Sequence, residues 1–255
     1  MVFKQPAREI KSVVTAFELI QVLQDLGGAT PNRLIDELDL SKSSIHNYLR
    51  TLEQMGYVVN ENGTYRLGLR FLTHGIASKE SIRVGRIIRS ELDAVANELE
   101  RPTWWLVEEH GRGIFLDVSQ VETGSPVYGR IGKRSYLHTH ALGKAVLAEA
   151  SESYVTQVIE YQGLPAFTNE TTADAETLFE ELDAIRDDGY AVSHDGAVLG
   201  IRSVGVGFRD GRGGLHAIGV FGDSRELTDA SSVMYAEELQ ETVESLESHF
   251  TTDGE

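Results

Sequence analysis

The chain has 255 residues, no cysteine, and 40 acidic against 23 basic residues, which gives a formal net charge of −17. Without cysteine there are no disulfides, no thiolate metal ligands and no cysteine nucleophile, and the composition suits a reducing interior. No apolar run approaches the length of a membrane span and no signal-peptide pattern opens the sequence, so we expect a cytoplasmic protein with no membrane partner. The length allows two domains, each with its own core.

Charge is unevenly distributed along the chain. Residues 1–80 contain nine basic and nine acidic residues, so the whole acidic excess falls on residues 81–255. Lysine is scarce, with six residues against seventeen arginines. This acidic, lysine-poor composition indicates a halophilic host, and an ordinary acidic bacterial protein is the alternative. In high salt, counterion release adds little to DNA affinity, so base contacts and shape would contribute more.

The chain opens with two predicted helices. Residues 12–26 have an amphipathic pattern, with Ser12 as a capping residue and Gly27 after the end. Thr30 is a good cap for the next helix, and Pro31 suits its first position because a missing N–H is harmless there.

A third helix follows at once, after a tight turn at Asp39-Leu40 that lets Leu40 fill the space between the helices. Ser41 is its predicted cap and Gly56 its stop. Its apolar side has helical spacing and should face the core; that side consists of Ile45, Tyr48, Leu49, Leu52 and Met55.

Next comes a predicted hairpin, residues 57–67, which turns at Asn62-Gly63. Helix, turn, helix and hairpin in this order predict a winged helix-turn-helix, whose second motif helix enters the major groove of DNA. A protein-docking module is the alternative. The candidate DNA contacts are Lys42, Ser43, Ser44, His46, Asn47 and Arg50 on the exposed helix face and Arg66 on the wing.

The remaining pattern mixes helices and antiparallel strands, which indicates an α+β sheet domain. We predict a winged helix-turn-helix domain over 1–68, a linker helix over 69–80 and a second domain over 81–255. Within the second domain, helices are predicted at 81–100, 141–150, 153–162, 174–188 and 229–250, and strands at 104–108, 114–121, 126–131, 190–193, 203–208 and 215–221.

A specific combination of segments occurs along this chain, at 12–20, 40–53, 56–58, 65–68, 137–145, 189–192 and 200–204. In these segments, and over roughly residues 10–250, the chain resembles the IclR family of transcriptional regulators. The resemblance implies a non-enzymatic regulator of catabolic genes with a GAF-like α/β effector-binding domain and no cofactor. It also implies a homodimer or homotetramer, and a two-fold dimer would read a pseudo-palindromic operator.

Two positions depart from the family pattern. Asn47 stands where arginine is usual, and asparagine pairs best with adenine, so the base preference should differ. Ser203 stands where cysteine is common, and only Asp195 remains of the acidic residues that often precede the Gly-Ile-Arg motif.

The resemblance places the effector pocket on one face of the sheet. Glycines there allow close approach, and the N-terminus of the helix at 141 suits a carboxylate or sugar-acid oxygen. The candidate effector residues are Gly129, Ile131, Gly132, His138, Ala141, Leu142, Gly143, Asp195, Gly200, Ile201 and Ser203. A sugar, a sugar acid and an aromatic or other organic acid all fit such a set.

Two rival hypotheses remain. His138 and His140, with His194 and Asp195, could form a zinc site of a hydrolase-like enzyme with a docking N-terminal domain. No HExxH motif, Gly-x-Ser-x-Gly elbow, P-loop or dinucleotide fingerprint supports it. The other hypothesis is an architectural DNA binder without an effector.

Overall fold

The computed structural model describes residues 9–82, 84–119 and 129–252. The chain divides into two compact units, with the division between residues 83 and 84. Within these ranges, no helix is both long enough and apolar enough to cross a membrane.

The N-terminal unit contains the three predicted helices and the hairpin, followed by a fourth helix. Its elements are α1 (Lys11–Asp25), α2 (Pro31–Leu38), α3 (Lys42–Gln54), β1 (Val58–Glu61), β2 (Thr64–Leu67) and α4 (Arg70–Glu80). The apolar sides of the helices meet in one core, which contains Leu19, Leu23, Leu34, Ile45, Leu49, Leu52 and Val58. Leu40 packs against this core, as predicted.

Local signals explain most of the boundaries in this unit. The Thr30 and Ser41 hydroxyls accept backbone N–H groups of α2 and α3, at 3.4 and 3.2 Å, so both predicted caps are confirmed. The Ser12 cap was wrong: α1 begins at Lys11, after Ile10, and has no side-chain cap. The apolar side chain of Ile10 offers no acceptor, and the N–H of Val13 donates instead to the Ile10 carbonyl oxygen at 2.9 Å.

The hairpin turn needs left-handed backbone at two successive residues. Asn62 has φ of 55° and Gly63 has φ of 90°, which suits the tight two-residue turn that Asn-Gly predicts. Four residue pairs join β1 to β2, from Val58 opposite Leu67 to Glu61 opposite Thr64.

The C-terminal unit is built on a six-stranded antiparallel sheet of order β5-β4-β3-β8-β7-β6. Its strands are β3 (Thr103–Glu109), β4 (Arg112–Ser119), β5 (Arg134–Tyr136), β6 (Ala191–His194), β7 (Ile201–Arg209) and β8 (Leu215–Asp223). Its helices are α5 (Gly85–Glu98), α6 (Ala141–Glu149), α7 (Glu152–Gln162), α8 (Ala175–Asp188) and α9 (Asp229–Thr252), with a 3-10 turn at Leu137–Thr139.

Helices cover both faces of this sheet. Helix α6 lies on one face, where Gly205 and Gly207 of β7 let its backbone approach closely: a Cβ at these glycines would meet α6 backbone atoms at 2.9 and 2.5 Å. Helices α5 and α9 cover the other face, and Trp105 of β3 lies against Gly85 at the start of α5. Helix α8 also packs against α6. Burial between the sheet and α8 explains why α6 is apolar almost all round.

Two predicted elements differ from the structure. No strand forms at 129–131; the edge strand is β5, at Arg134–Tyr136, and residues 126–128 lie outside the described residues. The helix predicted at 81–100 begins only at Gly85. The apolar pattern thus misplaced the edge strand, and it predicted the helix but not its first residue. Element ends depend on turns and strand pairing that the pattern does not contain.

Candidate functional site

The exposed face of α3 carries a continuous set of polar side chains. Lys42, Ser43, His46, Asn47 and Arg50 are all exposed. The opposite face is held by fully buried apolar side chains, so the helix is fixed by its core side while its polar side stays accessible. This is the geometry that a recognition helix needs.

Ser44 has a different environment from its neighbours on α3. Its side chain is half-buried, and its hydroxyl lies 2.8 Å from the Ser41 hydroxyl, within the cap of the helix. Ser44 therefore takes part in starting α3 as well as lying beside the exposed face.

Arg66 on the wing is paired with a carboxylate. Its Nε donates to Glu61 at 2.7 Å, and a second nitrogen of the guanidinium also contacts that carboxylate. The hydrogen bond from Arg66 and its charge lower the pKa of Glu61 below its usual value. The wing cation is thus partly neutralised across the hairpin.

The N-terminus of α6 is satisfied by side chains of the protein itself. The backbone N–H of Ala141 donates to the Ser203 hydroxyl of β7 at 3.0 Å. The N–H of Gly143 donates to Nδ1 of His140 at 3.1 Å. The structure therefore brings three predicted effector residues together, although their N–H and hydroxyl groups already have partners.

His140 joins the start of α6 to the edge of the sheet. Because Nδ1 accepts from Gly143, the ring proton lies on Nε2, which donates to the Ser135 hydroxyl at 2.8 Å. Burial lowers the pKa of His140 to about 3, so the ring is neutral. Sequence reasoning assigned this residue to a possible metal site and missed its capping role.

A cluster of aromatic rings lies beside His140 on the α6 face. The ring of Phe115 is 5.2 Å from Trp104, 5.5 Å from His140 and 5.8 Å from Phe221, measured between centroids. We call Trp104, Phe115, His140 and Phe221 the aromatic cluster. Sequence reasoning missed Phe115 and Phe221, because alternation along a strand does not show which face meets the helix.

The segment 129–133 borders the aromatic cluster. A Cβ at Gly129 would lie 3.1 Å from the Trp104 ring, and the Lys133 amine is 5.8 Å from the centre of Phe115. Half-burial lowers the pKa of Lys133. A cation thus lies beside a buried group of rings. The N–H groups of Gly132 and Lys133 already donate to the carbonyl oxygens of Phe115 and Arg130, at 2.8 and 3.0 Å.

Other predicted effector residues lie at turns. Ile131 is 54% exposed, and Gly132 and Gly200 are exposed as well. The Asp195 carboxylate accepts the N–H of Gly200 at 2.7 Å and so closes its own loop. Two further predicted effector residues do not lie at turns: Leu142 is fully buried against the sheet, and Ile201 is half-buried at the start of β7.

The two histidines of the rival metal hypothesis have separate partners. His138 is buried, with Nε2 3.1 Å from the Pro165 carbonyl oxygen and its ring beside Tyr136, whereas His140 contacts Gly143 and Ser135. Among the residues that the structure describes, no group of three or more His, Cys, Asp or Glu side chains is placed to hold a metal ion.

A helix-turn-helix unit with an accessible recognition helix, joined to an α+β unit, defines a two-domain transcriptional regulator. Family models agree: residues 12–61 match the IclR helix-turn-helix domain, and residues 77–248 match the bacterial transcriptional regulator IclR C-terminal domain. The chain belongs to the IclR family of DNA-binding transcriptional regulators. The family and the fold class predicted from the sequence are therefore confirmed. The proteins of this family are transcriptional regulators rather than enzymes.

Named relatives support the assignment. The chain is 32% identical over 206 residues to the probable HTH-type transcriptional regulator ArcR of Halobacterium salinarum, covering 79% of this chain and 78% of the relative. It is 28% identical to the HTH-type transcriptional regulator XynR of Escherichia coli, covering 77% and 79%. The crystal structure of an IclR homologue from Microbacterium hydrocarbonoxydans, complexed with 4-hydroxybenzoate, shares the fold, with a TM-score of 0.77, 20% identity, and coverage of 94% and 98%.

Proposed function

We propose that this protein binds a pseudo-palindromic operator as a homodimer or homotetramer, and that a small acid bound in the C-terminal unit changes its operator affinity. The exposed polar face of α3 is the observation that carries the proposal. Short polar side chains and one arginine on a helix fixed by its core suit base edges and phosphates. In the complex, the candidate residues of α3 would contact the bases and the backbone of the DNA, and Arg66 would contact a phosphate.

Apolar side chains on the surface of the N-terminal unit support self-association. On α1, Val13 is 49% and Phe17 64% exposed; beside α4 and on it, Leu69, Leu72 and Ile76 are 81%, 60% and 47% exposed. The last three have helical spacing and form one stripe. In a two-fold dimer such a stripe would be buried against a copy of itself, which leaves both α3 helices free for the two half-sites.

The chemistry of the aromatic cluster favours an acid with a ring or another flat apolar part. The rings are buried, so they offer stacking surface only once segment 129–133 moves. The amine of Lys133, 5.8 Å from the centre of Phe115, suits a carboxylate. The ligand printed for the Microbacterium hydrocarbonoxydans homologue, 4-hydroxybenzoate, is of this kind. A catabolic operon for such acids is the corresponding target, and sugars and sugar acids belong in the same test panel.

An effector would act by shifting a population of conformations. Because Gly129 lies against Trp104, a ligand on the aromatic cluster must displace segment 129–133. A dimer whose two recognition helices change their spacing no longer matches half-sites one helical turn apart. The sign of regulation follows from which conformation the effector prefers.

High salt is the proposed working condition. The acidic excess of residues 81–255 and the relative in Halobacterium salinarum support a haloarchaeal host. Binding experiments should therefore be performed in concentrated potassium chloride, where non-specific phosphate attraction is weak.

The test is fluorescence anisotropy on DNA from upstream of the protein's own gene. Arg50→Ala should weaken specific binding by about 1–3 kcal/mol, whereas Arg225→Ala, which removes the same charge from an exposed position of the C-terminal unit, should leave it unchanged. A panel of aromatic acids, sugar acids and sugars should contain a compound that shifts the affinity of the wild type. Equal losses in the two variants, or no compound with an effect, would contradict the proposal.

A further inference from the structure

Tyr57 lies where three elements of the N-terminal unit meet. It follows α3, precedes β1, and faces the first turns of α4. Its hydroxyl is 2.7 Å from Nε2 of His74, its ring centroid is 4.9 Å from that of Phe71, and the Arg70 guanidinium lies 5.0 Å above it. A single tyrosine thus contacts α4 through a hydrogen bond, a ring contact and a cation–π contact.

The backbone of the same junction is also joined to the end of α3. The guanidinium of Arg70 donates to the carbonyl oxygen of Met55, and Met55 is the C-cap residue of α3. A cation at this position gives a partner to a carbonyl oxygen that has none within the helix. Its positive charge also interacts favourably with the negative C-terminal end of the helix dipole. Gly68 donates its N–H to the Tyr57 carbonyl at 2.8 Å, and a Cβ at Gly68 would lie 2.6 Å from the Gly56 oxygen.

These contacts matter because, within one chain, α4 is only lightly packed. None of its side chains is buried, and the contacts described above all come from its first two turns. Apolar burial, the usual means of fixing a helix, is limited on α4 to Phe71, which is half-buried. Its direction relative to α3 is therefore set by Tyr57 and the residues around it.

We propose that Tyr57, Arg70 and His74 form a latch that makes α4 and α3 move as one body. The three are positioning residues: they touch no DNA, but they fix the angle at which α3 is presented. Helix α3 is 13 residues long, about 20 Å, and the latch grips its C-terminal end. A small rotation of α4 then displaces the DNA-facing residues at the N-terminal end of α3.

The latch deepens the proposed function, since it provides a path by which a movement of the linker helix would reach the recognition helix. Nothing about its existence requires an operator or an effector. A measurement of the α3–α4 angle alone tests the latch, and DNA binding then tests its use, so the two can fail separately.

The first experiment measures the distance between spin labels on α3 and α4 of the full chain. The chain has no cysteine, so Glu53→Cys with Ser78→Cys, both exposed, gives two unique labels, and dilution with unlabelled protein suppresses signals between copies. We expect one narrow distance distribution. Tyr57→Ala should broaden it, and Arg70→Met, a change at an exposed side chain, should do so without risk to the core.

Conservative variants separate a latch from general support. Tyr57→Phe keeps the ring but loses the hydroxyl, and His74→Leu loses the ring nitrogen that is hydrogen-bonded to that hydroxyl. Both variants should therefore broaden the distribution partly. His74→Gln can still form a hydrogen bond with the Tyr57 hydroxyl, so its distance distribution should be as narrow as that of the wild type. Thr73→Ala, at an exposed neighbouring position on α4, is the control and should change nothing. Equally narrow distributions in Tyr57→Ala and Arg70→Met would overturn the proposal.

The second experiment uses the DNA from upstream of the protein's own gene, with the panel compound that shifts the operator affinity of the wild type. Latch variants should still bind the operator through α3, but the effector-induced change in affinity should fall several-fold, with restoration in His74→Gln. If the label distances broaden while the effector response stays at its wild-type size, the latch exists but the signal does not pass through it, and that part of the proposal is wrong.

Discussion

The hydroxyl of Ser203 accepts the backbone N–H of Ala141 at 3.0 Å and so closes the N-terminus of α6 with a side chain from β7. Both residues are buried, at 2% and 0% exposure. A helix N-terminus is a ready site for a ligand carboxylate, and here the protein supplies a neutral acceptor instead. Any ligand carboxylate at this N-terminus would have to displace the Ser203 hydroxyl from the Ala141 N–H.

Ser203→Ala should destabilise the protein. The substitution leaves the buried N–H of Ala141 without an acceptor, which costs about 1–3 kcal/mol. Denaturant unfolding measures the loss. Ser153→Ala, at an exposed serine of α7, serves as the control and should change stability by less than about 0.5 kcal/mol. Equal stability of the two variants would mean that water takes the place of the hydroxyl.

Gly205→Ala should be more harmful than its small size suggests. The added Cβ would lie 2.9 Å from the Leu142 backbone of α6, so the helix and the sheet must separate, at a cost of about 1–3 kcal/mol for overpacking. Gly75→Ala is the contrast: nothing lies within 4 Å of that position on α4, and alanine favours a helix by about 1 kcal/mol over glycine. Thermal unfolding of both variants should therefore move in opposite directions.

The stability of the C-terminal unit should depend on His140 below neutral pH. Burial lowers the pKa of this histidine to about 3 in the folded state, against 6.5 for the ordinary residue. The unfolded chain therefore binds a proton that the folded chain does not. The contribution of His140 is complete above about pH 6.5 and is lost progressively as the pH falls toward 3.

His140→Asn isolates that dependence, because asparagine can cap the helix through its side-chain oxygen but does not titrate. The variant loses the ring contacts with Phe115 and Phe221, so it should be less stable at all pH values. Its free energy of unfolding should fall less steeply than that of the wild type between about pH 6.5 and about pH 4. Parallel curves for the two proteins would show that His140 has no part in the acid sensitivity.

The sequence predicted the N-terminal unit well because its signals are local. Thr30, Ser41 and Asn62-Gly63 each specify a cap or a turn within four residues of the chain. The aromatic cluster depends on long-range pairing instead: Phe115 and Phe221 meet because β3 lies between β4 and β8, and single-sequence patterns do not contain strand order. The same limit hid the partnership of Ser203 with Ala141, which are 62 residues apart.

The latch was missed for a different reason. Arg70, Phe71 and His74 lie within the predicted linker helix at 69–80, and Tyr57 reads as the start of a wing strand. Each residue has an ordinary local interpretation. Only the return of the hairpin brings α4 back to the end of α3, so the contact is a consequence of the fold.

Removing the charge on Glu61 should strengthen operator binding. Glu61 holds Arg66 on the wing, and Glu61→Gln would release the guanidinium for a phosphate. One additional phosphate contact should increase the steepness of log Kd against log salt by about 1, and the gain in affinity should shrink as potassium chloride is raised. The double variant Glu61→Gln with Arg66→Gln is the control, because it has no wing cation to release. If Glu61→Gln and the double variant bind the operator alike at every salt concentration, Arg66 does not contact the DNA backbone, and α3 alone carries the interface.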